Sequence, residues 1–217
     1  MKGLLVKDLR IMMTMKFSIV FLILFSIVNI IDNNVSFGVG YTLFLAITLA
    51  VGTCSYDKLD NGMQHILTLP VSRKLYVVEK YVFVLLASIA GAILAIVEVV
   101  VANAFKSNMI NLEEQLICII IMFGISLLAA AVMLPVNIKF DAEKSKIFRL
   151  IVIGMIVVVI VLLQYVTEDF MSIVYEITEI VNGIDIDLLK VGGGVIVVVG
   201  FVVSMFISIK ITEKMEY

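Results

Sequence analysis

The sequence is poor in the residues on which most site chemistry depends. Its 217 residues include one histidine, His65, two prolines, Pro70 and Pro135, and two cysteines, Cys54 and Cys118. A lone histidine excludes the paired-histidine metal motifs. The two cysteines lie within or beside apolar runs. They have no metal-site spacing and form no disulfide framework. The glycine run Gly192-Gly193-Gly194 opens an apolar stretch and lacks a following Gly-Lys-Ser/Thr, so it is not a phosphate-cradling loop. No dinucleotide fingerprint occurs. The acid pair Glu113-Glu114 has no histidine in a neighbouring apolar run, which argues against an intramembrane peptidase. On this reading the chain is not an enzyme, holds no cofactor or metal of its own and has no nucleic-acid partner. Charge is scarce too: 16% of residues are charged and 62% are hydrophobic, against about 25% and 45–50% in soluble domains. With a mean hydropathy of +1.17, a fold of this length cannot hide its apolar surface from water, so the solvent is a bilayer.

Six apolar runs approach the roughly 20 residues that cross a hydrocarbon core. They are about 17–31, 37–54, 81–104, 116–136, 150–166 and 191–209. The first is short. A cleaved signal peptide is its rival reading, but no small-residue cleavage site follows it and five more runs do. The expected fold class is an all-α membrane protein of six transmembrane helices.

The basic residues set the orientation. With the N-terminus inside, inside segments carry Lys2, Lys7, Arg10, Lys16, Lys58, Arg73, Lys74, Lys80, Lys139, Lys144, Lys146, Arg149, Lys210 and Lys214. Only Lys106 and Lys190 fall outside. Both termini are therefore expected in the cytoplasm.

Residues 1–16 are too polar to be a span. Leu5, Leu9, Met12 and Met13 recur at helical spacing, with Lys7, Arg10 and Thr14 on another face. This pattern predicts an amphipathic helix in the inner interface, its cations near anionic headgroups. A plain positive leader to the first span is the simpler alternative. On the outside, 167–190 holds six acids (Glu168, Asp169, Glu176, Glu179, Asp185, Asp187) against one base. Ile173, Val174, Ile177, Ile180 and Val181 suit a short amphipathic helix ending near Gly183. A solvated connector is the alternative.

Within the spans, Glu98 is the one ionisable group, and Asn103 lies five residues on, nearer the outer mouth. Such a group lines a translocation path or is bonded to a neighbouring helix. Ala87, Gly91 and Ala95 form a small-residue stripe in the third span; Gly200, Ser204 and Ser208 form one in the sixth. Such stripes let helices approach closely. Pro135 is expected to kink or end the fourth span.

The inside segment 56–80 is the long polar passage of the first half. Asp60-Asn61-Gly62 can break the chain and start a helix. Met63, Ile66 and Leu67 then share one face, Pro70 stops the helix, and Ser72 is placed to cap the next one. So short a helix needs a surface to lie on. The inside loop 137–149 is of similar character, with Lys139, Asp141, Glu143 and Lys144.

The run Tyr56-Asp-Lys-Leu-Asp-Asn-Gly…Leu67-Thr-Leu-Pro-Val-Ser-Arg-Lys…Glu79-Lys-Tyr81 resembles the Leu-Pro-Val/Ile-Ser-Arg…Lys-Tyr signature of small type-2 ABC transporter permeases. Lys139-Phe-Asp-Ala-Glu-Lys-Ser-Lys146 is similar to the loop between spans four and five of the same family. The resemblance covers essentially the whole chain. Asp141 departs from the family's frequent glycine, and Met63 from a common aromatic. The resemblance implies a type-2 ABC exporter fold with a cytoplasmic coupling helix between spans two and three. It implies two permease subunits, with a homodimer the simpler arrangement, and two separate ATPase subunits that bind ATP and Mg. Met63, Ile66 and Leu67 would then supply the apolar contact to the ATPase, and Asp57, Asp60, His65, Arg73 and Lys74 its polar rim. Small relatives export amphipathic, cytolytic or antimicrobial peptides across a bacterial plasma membrane. Two other classes compete: an ATPase-independent immunity or interaction protein, and an ion-coupled secondary transporter, for which no convincing inverted repeat is present.

Overall fold

The structure is a computed structural model, and residues 1–31, 35–58, 72–105, 112–140, 147 and 186–215 are described. They form six helices: α1 (Lys2–Thr14), α2 (Lys16–Ile31), α3 (Val35–Tyr56), α4 (Arg73–Phe105), α5 (Leu112–Lys139) and α6 (Ile186–Lys214). The expected spans 37–54, 81–104, 116–136 and 191–209 lie within α3, α4, α5 and α6. The span 150–166 and the amphipathic outer helix fall outside the described residues.

Among the described residues, four helices are long and apolar enough to cross a membrane: Val35–Tyr56, Arg73–Phe105, Leu112–Lys139 and Gly192–Lys214. At 1.5 Å per residue the 33 residues of α4 reach about 50 Å, well beyond a hydrocarbon core of about 30 Å. Its first two turns, 73–80, therefore extend past the expected span. By contrast α2, with 16 residues, reaches only about 24 Å.

The bundle is arranged around α3, which packs against α1, α2, α4 and α5, while α6 packs against α5 and α4. Val39, Leu43, Ile47 and Val51 of α3 are fully buried, with Val77 and Ala95 of α4 and Ala130 and Leu134 of α5. The outward faces are large and aliphatic: Ile93, Val97 and Val100 on α4, and Ile196, Val199, Val203 and Phe206 on α6. The inward face of α6 is small and polar, with Ser204, Ser208 and Thr212 buried. Large apolar residues outside and small polar ones inside are the arrangement a lipid solvent favours, because close helix contact and hydrogen bonds drive association there. Both small-residue stripes do pack inward. A Cβ placed on Gly91 would sit 2.8 Å from Ala46 Cβ, and one on Gly200 3.3 Å from Leu128.

Side-chain pairings give the helix directions. α4 runs antiparallel to α3, since Thr42 meets Glu98 and Thr53 meets Lys80. α5 runs parallel to α3, with Ser36 meeting Gln115 at one end and Ser55 meeting Asn137 at the other. α6 runs parallel to α5: Gly200 lies against Leu128, and Ser204 bonds Ala131. Thus α3, α5 and α6 all finish where α1 and α4 begin. This basic end gathers Lys7, Lys58, Arg73, Lys74 and Lys139. Ser36 and Gln115 mark the far end.

Candidate functional site at the basic end of the bundle

Two turns of α4, a turn of α1 and the last turn of α3 meet at the basic end, each contributing charge. Lys80 lies at the centre. Its Nζ donates to Asp8 Oδ2 of α1 at 2.5 Å and to Thr53 Oγ1 at 3.2 Å, and pairs with Asp57 Oδ2 at 2.6 Å. The side chains of Lys80, Asp8 and Asp57 are at most 2% exposed. Lys7 bridges the same two acids from the outer side. It donates to Asp57 Oδ1 and lies 3.0 Å from Asp8 Oδ1, an ion pair without hydrogen-bond geometry. Tyr76 donates its phenol proton to Asp57 Oδ2 at 3.1 Å. Two cations thus balance two anions, as a buried charge set requires. Glu79, the neighbour of Lys80, is fully buried, and neither of its carboxyl oxygens has a hydrogen-bond partner among the described residues.

This arrangement differs from one expectation. Asp57, expected on the docking rim, faces into the bundle, because two lysines and a tyrosine hold its carboxylate there. On α1, Leu4 and Asp8 are buried, Leu5 and Met12 pack half-buried against the core, and Leu9 and Met13 are exposed beside Val6.

Cations also close the ends of the helices. The last carbonyls of a helix have no partner within it and carry the negative end of its dipole. Lys58 Nζ donates to the Ile138 and Phe140 carbonyls of α5 at 2.7 and 2.6 Å. Arg73 Nη1 donates to the carbonyls of Glu213 and Met215 at 3.2 and 2.8 Å, closing α6. Lys74 pairs with Glu213 at 3.2 Å in an exposed position. Ser72 caps α4 as expected, its Oγ accepting from the Leu75 N–H at 3.2 Å. Lys139 is exposed at the end of α5. Asp60, Met63, His65, Ile66 and Leu67 lie outside the described residues, as do Asp141, Glu143 and Lys144. Residues 57 and 72, on either side of the undescribed 59–71, are both built into this end.

One residue on from Lys80, about 100° further round α4, Tyr81 faces α6. Pro135 does not end α5, which continues to Lys139. Proline has no N–H, so the Ala131 carbonyl loses its helical donor. Ser204 of α6 donates to that carbonyl instead. With the Ser204 proton used, Tyr81 must donate to Ser204 Oγ, at 2.6 Å, and accept from Ser208 at 2.8 Å. The chain Ser208 to Tyr81 to Ser204 to Ala131 joins α4, α5 and α6 with one proton per link. Ser204→Ala is expected to lower stability by about 1–3 kcal/mol, the cost of an orphaned buried carbonyl. Pro135→Ala restores the backbone donor, so Ser204→Ala should cost less in that background; thermal unfolding of the four-member cycle measures the difference.

Nearer the far end, Glu98 Oε1 accepts from Thr42 Oγ1 at 2.6 Å, so this intramembrane acid is bonded to a neighbouring helix. The buried Oδ1 of Asn103 has no hydrogen-bond partner among the described residues. The structure does not bring Glu98 and Asn103 together with the basic end.

The arrangement defines a polytopic helical membrane protein whose polar machinery is collected at one end. A family model described as ABC-2 family transporter protein matches residues 3–213, and the chain belongs to that family. It is a permease subunit of an ABC transporter, an integral membrane component that works with an ATPase. Comparison with curated proteins and with solved structures gave no match.

Proposed function

We propose that the chain is the pathway-forming subunit of a six-span exporter of amphipathic or antimicrobial peptides in a bacterial plasma membrane. Two copies pair with each other and with two ATPase subunits, which bind ATP and Mg. The family match across residues 3–213 carries the reading. The sixfold span count is supported by helix direction: α5 and α6 run parallel, which calls for a return crossing between them, and the run 150–166 has the composition for one. The peptide substrate rests on the resemblance of the Leu69–Arg73 run to small peptide-exporting permeases. The basic end is the cytoplasmic one, by its excess of lysine and arginine.

Docking is through 59–71, with Met63, Ile66 and Leu67 as the apolar contact, Asp60 and His65 on its rim, and Arg73 and Lys74 beside it. Lys139, Asp141, Glu143 and Lys144 form a second cytoplasmic contact. Burying each apolar side chain contributes about 1.5–3 kcal/mol. Met63→Glu combined with Ile66→Glu is therefore expected to reduce co-purification of the ATPase at least tenfold while leaving permease yield in the membrane unchanged. Undiminished co-purification and transport would remove these residues from the docking surface.

A further inference from the structure

We infer that Lys80 is a positioning residue for coupling: it fastens α1 to both chain ends of the ATPase-docking segment, so that α1 moves with that segment. The inference rests on the reading that an ATPase docks at 59–71.

The placement carries it. Asp57 lies two residues before that segment, and Tyr76 and Lys80 lie just beyond it. The bonds from Asp57 to Tyr76 and Lys80 hold the outgoing and returning chain together at its base. A force applied to the segment therefore arrives at one point. The same ammonium reaches Asp8, and Lys7 closes the set from the adjacent position on α1. α1 thus has a polar attachment where the segment begins and ends. Its apolar attachment is partial: Leu4 is buried and Leu5 and Met12 pack half-buried against the core, while Val6, Leu9 and Met13 are exposed.

Stability alone does not account for three buried charges, Asp8, Asp57 and Lys80, with Lys7 at their edge. Replacing such a set with apolar residues of similar size is often neutral or stabilising. What a fixed ion set supplies and an apolar contact does not is a single register, since each carboxylate oxygen has one defined partner. An apolar seam would let α1 slide or rotate against α4 when the segment is pulled. The single register turns a displacement of 59–71 into a displacement of α1.

Two measurements on the permease–ATPase complex test this. In the first, Arg10→Cys supplies an exposed label on α1, with Cys118→Ser removing the half-buried thiol. The maleimide labelling rate is expected to differ at least threefold between the nucleotide-free and ATP-trapped complexes. Nucleotide binds only the ATPase, so equal rates would overturn the inference. In the second, Asp8→Asn, Asp57→Asn and Lys80→Met are combined. The triple variant, which leaves only the part-exposed Lys7 charged, is expected to retain ATPase association and a native-like unfolding midpoint, while peptide transported per ATP hydrolysed falls at least tenfold. Native transport per ATP in a folded variant overturns the inference; if that variant fails to fold, the labelling result decides. Failure of the ATPase to co-purify with the unaltered permease would defeat the docking reading instead, so the two failures are distinguishable.

Discussion

Lys80→Met alone is expected to destabilise the folded permease by about 3–5 kcal/mol, the usual loss when one partner is removed from a buried ion set. Its ammonium is the only cation inside the lock that is shielded from solvent, at 1% side-chain exposure against 29% for Lys7. Without it, Asp8 and Asp57 share Lys7 alone. Asp8 Oδ2 would keep only the 3.3 Å bond from Thr53, and Asp57 Oδ2 only that from Tyr76. Methionine fills a similar volume, so the loss is electrostatic rather than a cavity. Lys7→Met should cost less, because water reaches that position and can solvate Asp57 Oδ1. The triple variant should recover most of the stability, since it removes both anions along with Lys80 and leaves only Lys7, which water reaches. Thermal unfolding in detergent, followed by loss of monodisperse protein, gives the order: native and triple set high, Lys7→Met intermediate, Lys80→Met lowest. A Lys80→Met permease as stable as the native one would mean that the buried charges contribute nothing to holding α1.

That ordering depends on contacts that the linear sequence does not display, whereas much of the scaffold was legible there. The spans were readable because a bilayer imposes length and composition on each helix independently of its neighbours. Ala87-Gly91-Ala95 and the Ser72 cap were readable because spacing of three or four residues is a property of one helix. The lock is a property of three. Lys7 and Asp57 are 50 residues apart, and Asp8 and Lys80 are 72 apart. The sequence alone puts Lys7 among the headgroup-facing cations of the N-terminal helix and Lys80 among the inside basic residues leading into the third span, and the family resemblance puts Asp57 on a docking rim, each plausible for a helix taken singly. One signal was present: Asp8 is the single acid among the first sixteen residues, so an otherwise cationic interfacial helix carries one group that needs a cation elsewhere. The Gly200-Ser204-Ser208 stripe was legible as a packing face. Its second use was not, because the carbonyl freed by Pro135 lies on another helix.

Gly91→Ala is the second large effect, and it tests the α3–α4 seam directly. The added methyl would stand 2.8 Å from Ala46 Cβ, closer than two carbons approach without repulsion, with Leu43 Cα 3.8 Å away. Neither methyl can rotate out of the way, since a Cβ is fixed by the backbone. The helices themselves must separate, and with them the Thr42–Glu98 bond on the far-end side and the Thr53–Lys80 bond on the basic-end side. Overpacking of this kind costs about 1–3 kcal/mol. It is offset in part by alanine's better helix propensity, about 0.8–1.0 kcal/mol, so a net loss of up to about 2 kcal/mol is expected, read as a lower unfolding midpoint. Ala46→Gly removes the opposing methyl and should restore the spacing. In the double variant the close contact is rebuilt with the small residue on the other helix, and the cost of Gly91→Ala should largely vanish. Strong positive coupling in this cycle is the signature of direct contact. Simple additivity would mean that α3 and α4 do not meet at Ala46 and Gly91, and that the register carrying Thr53 to Lys80 is not the one described.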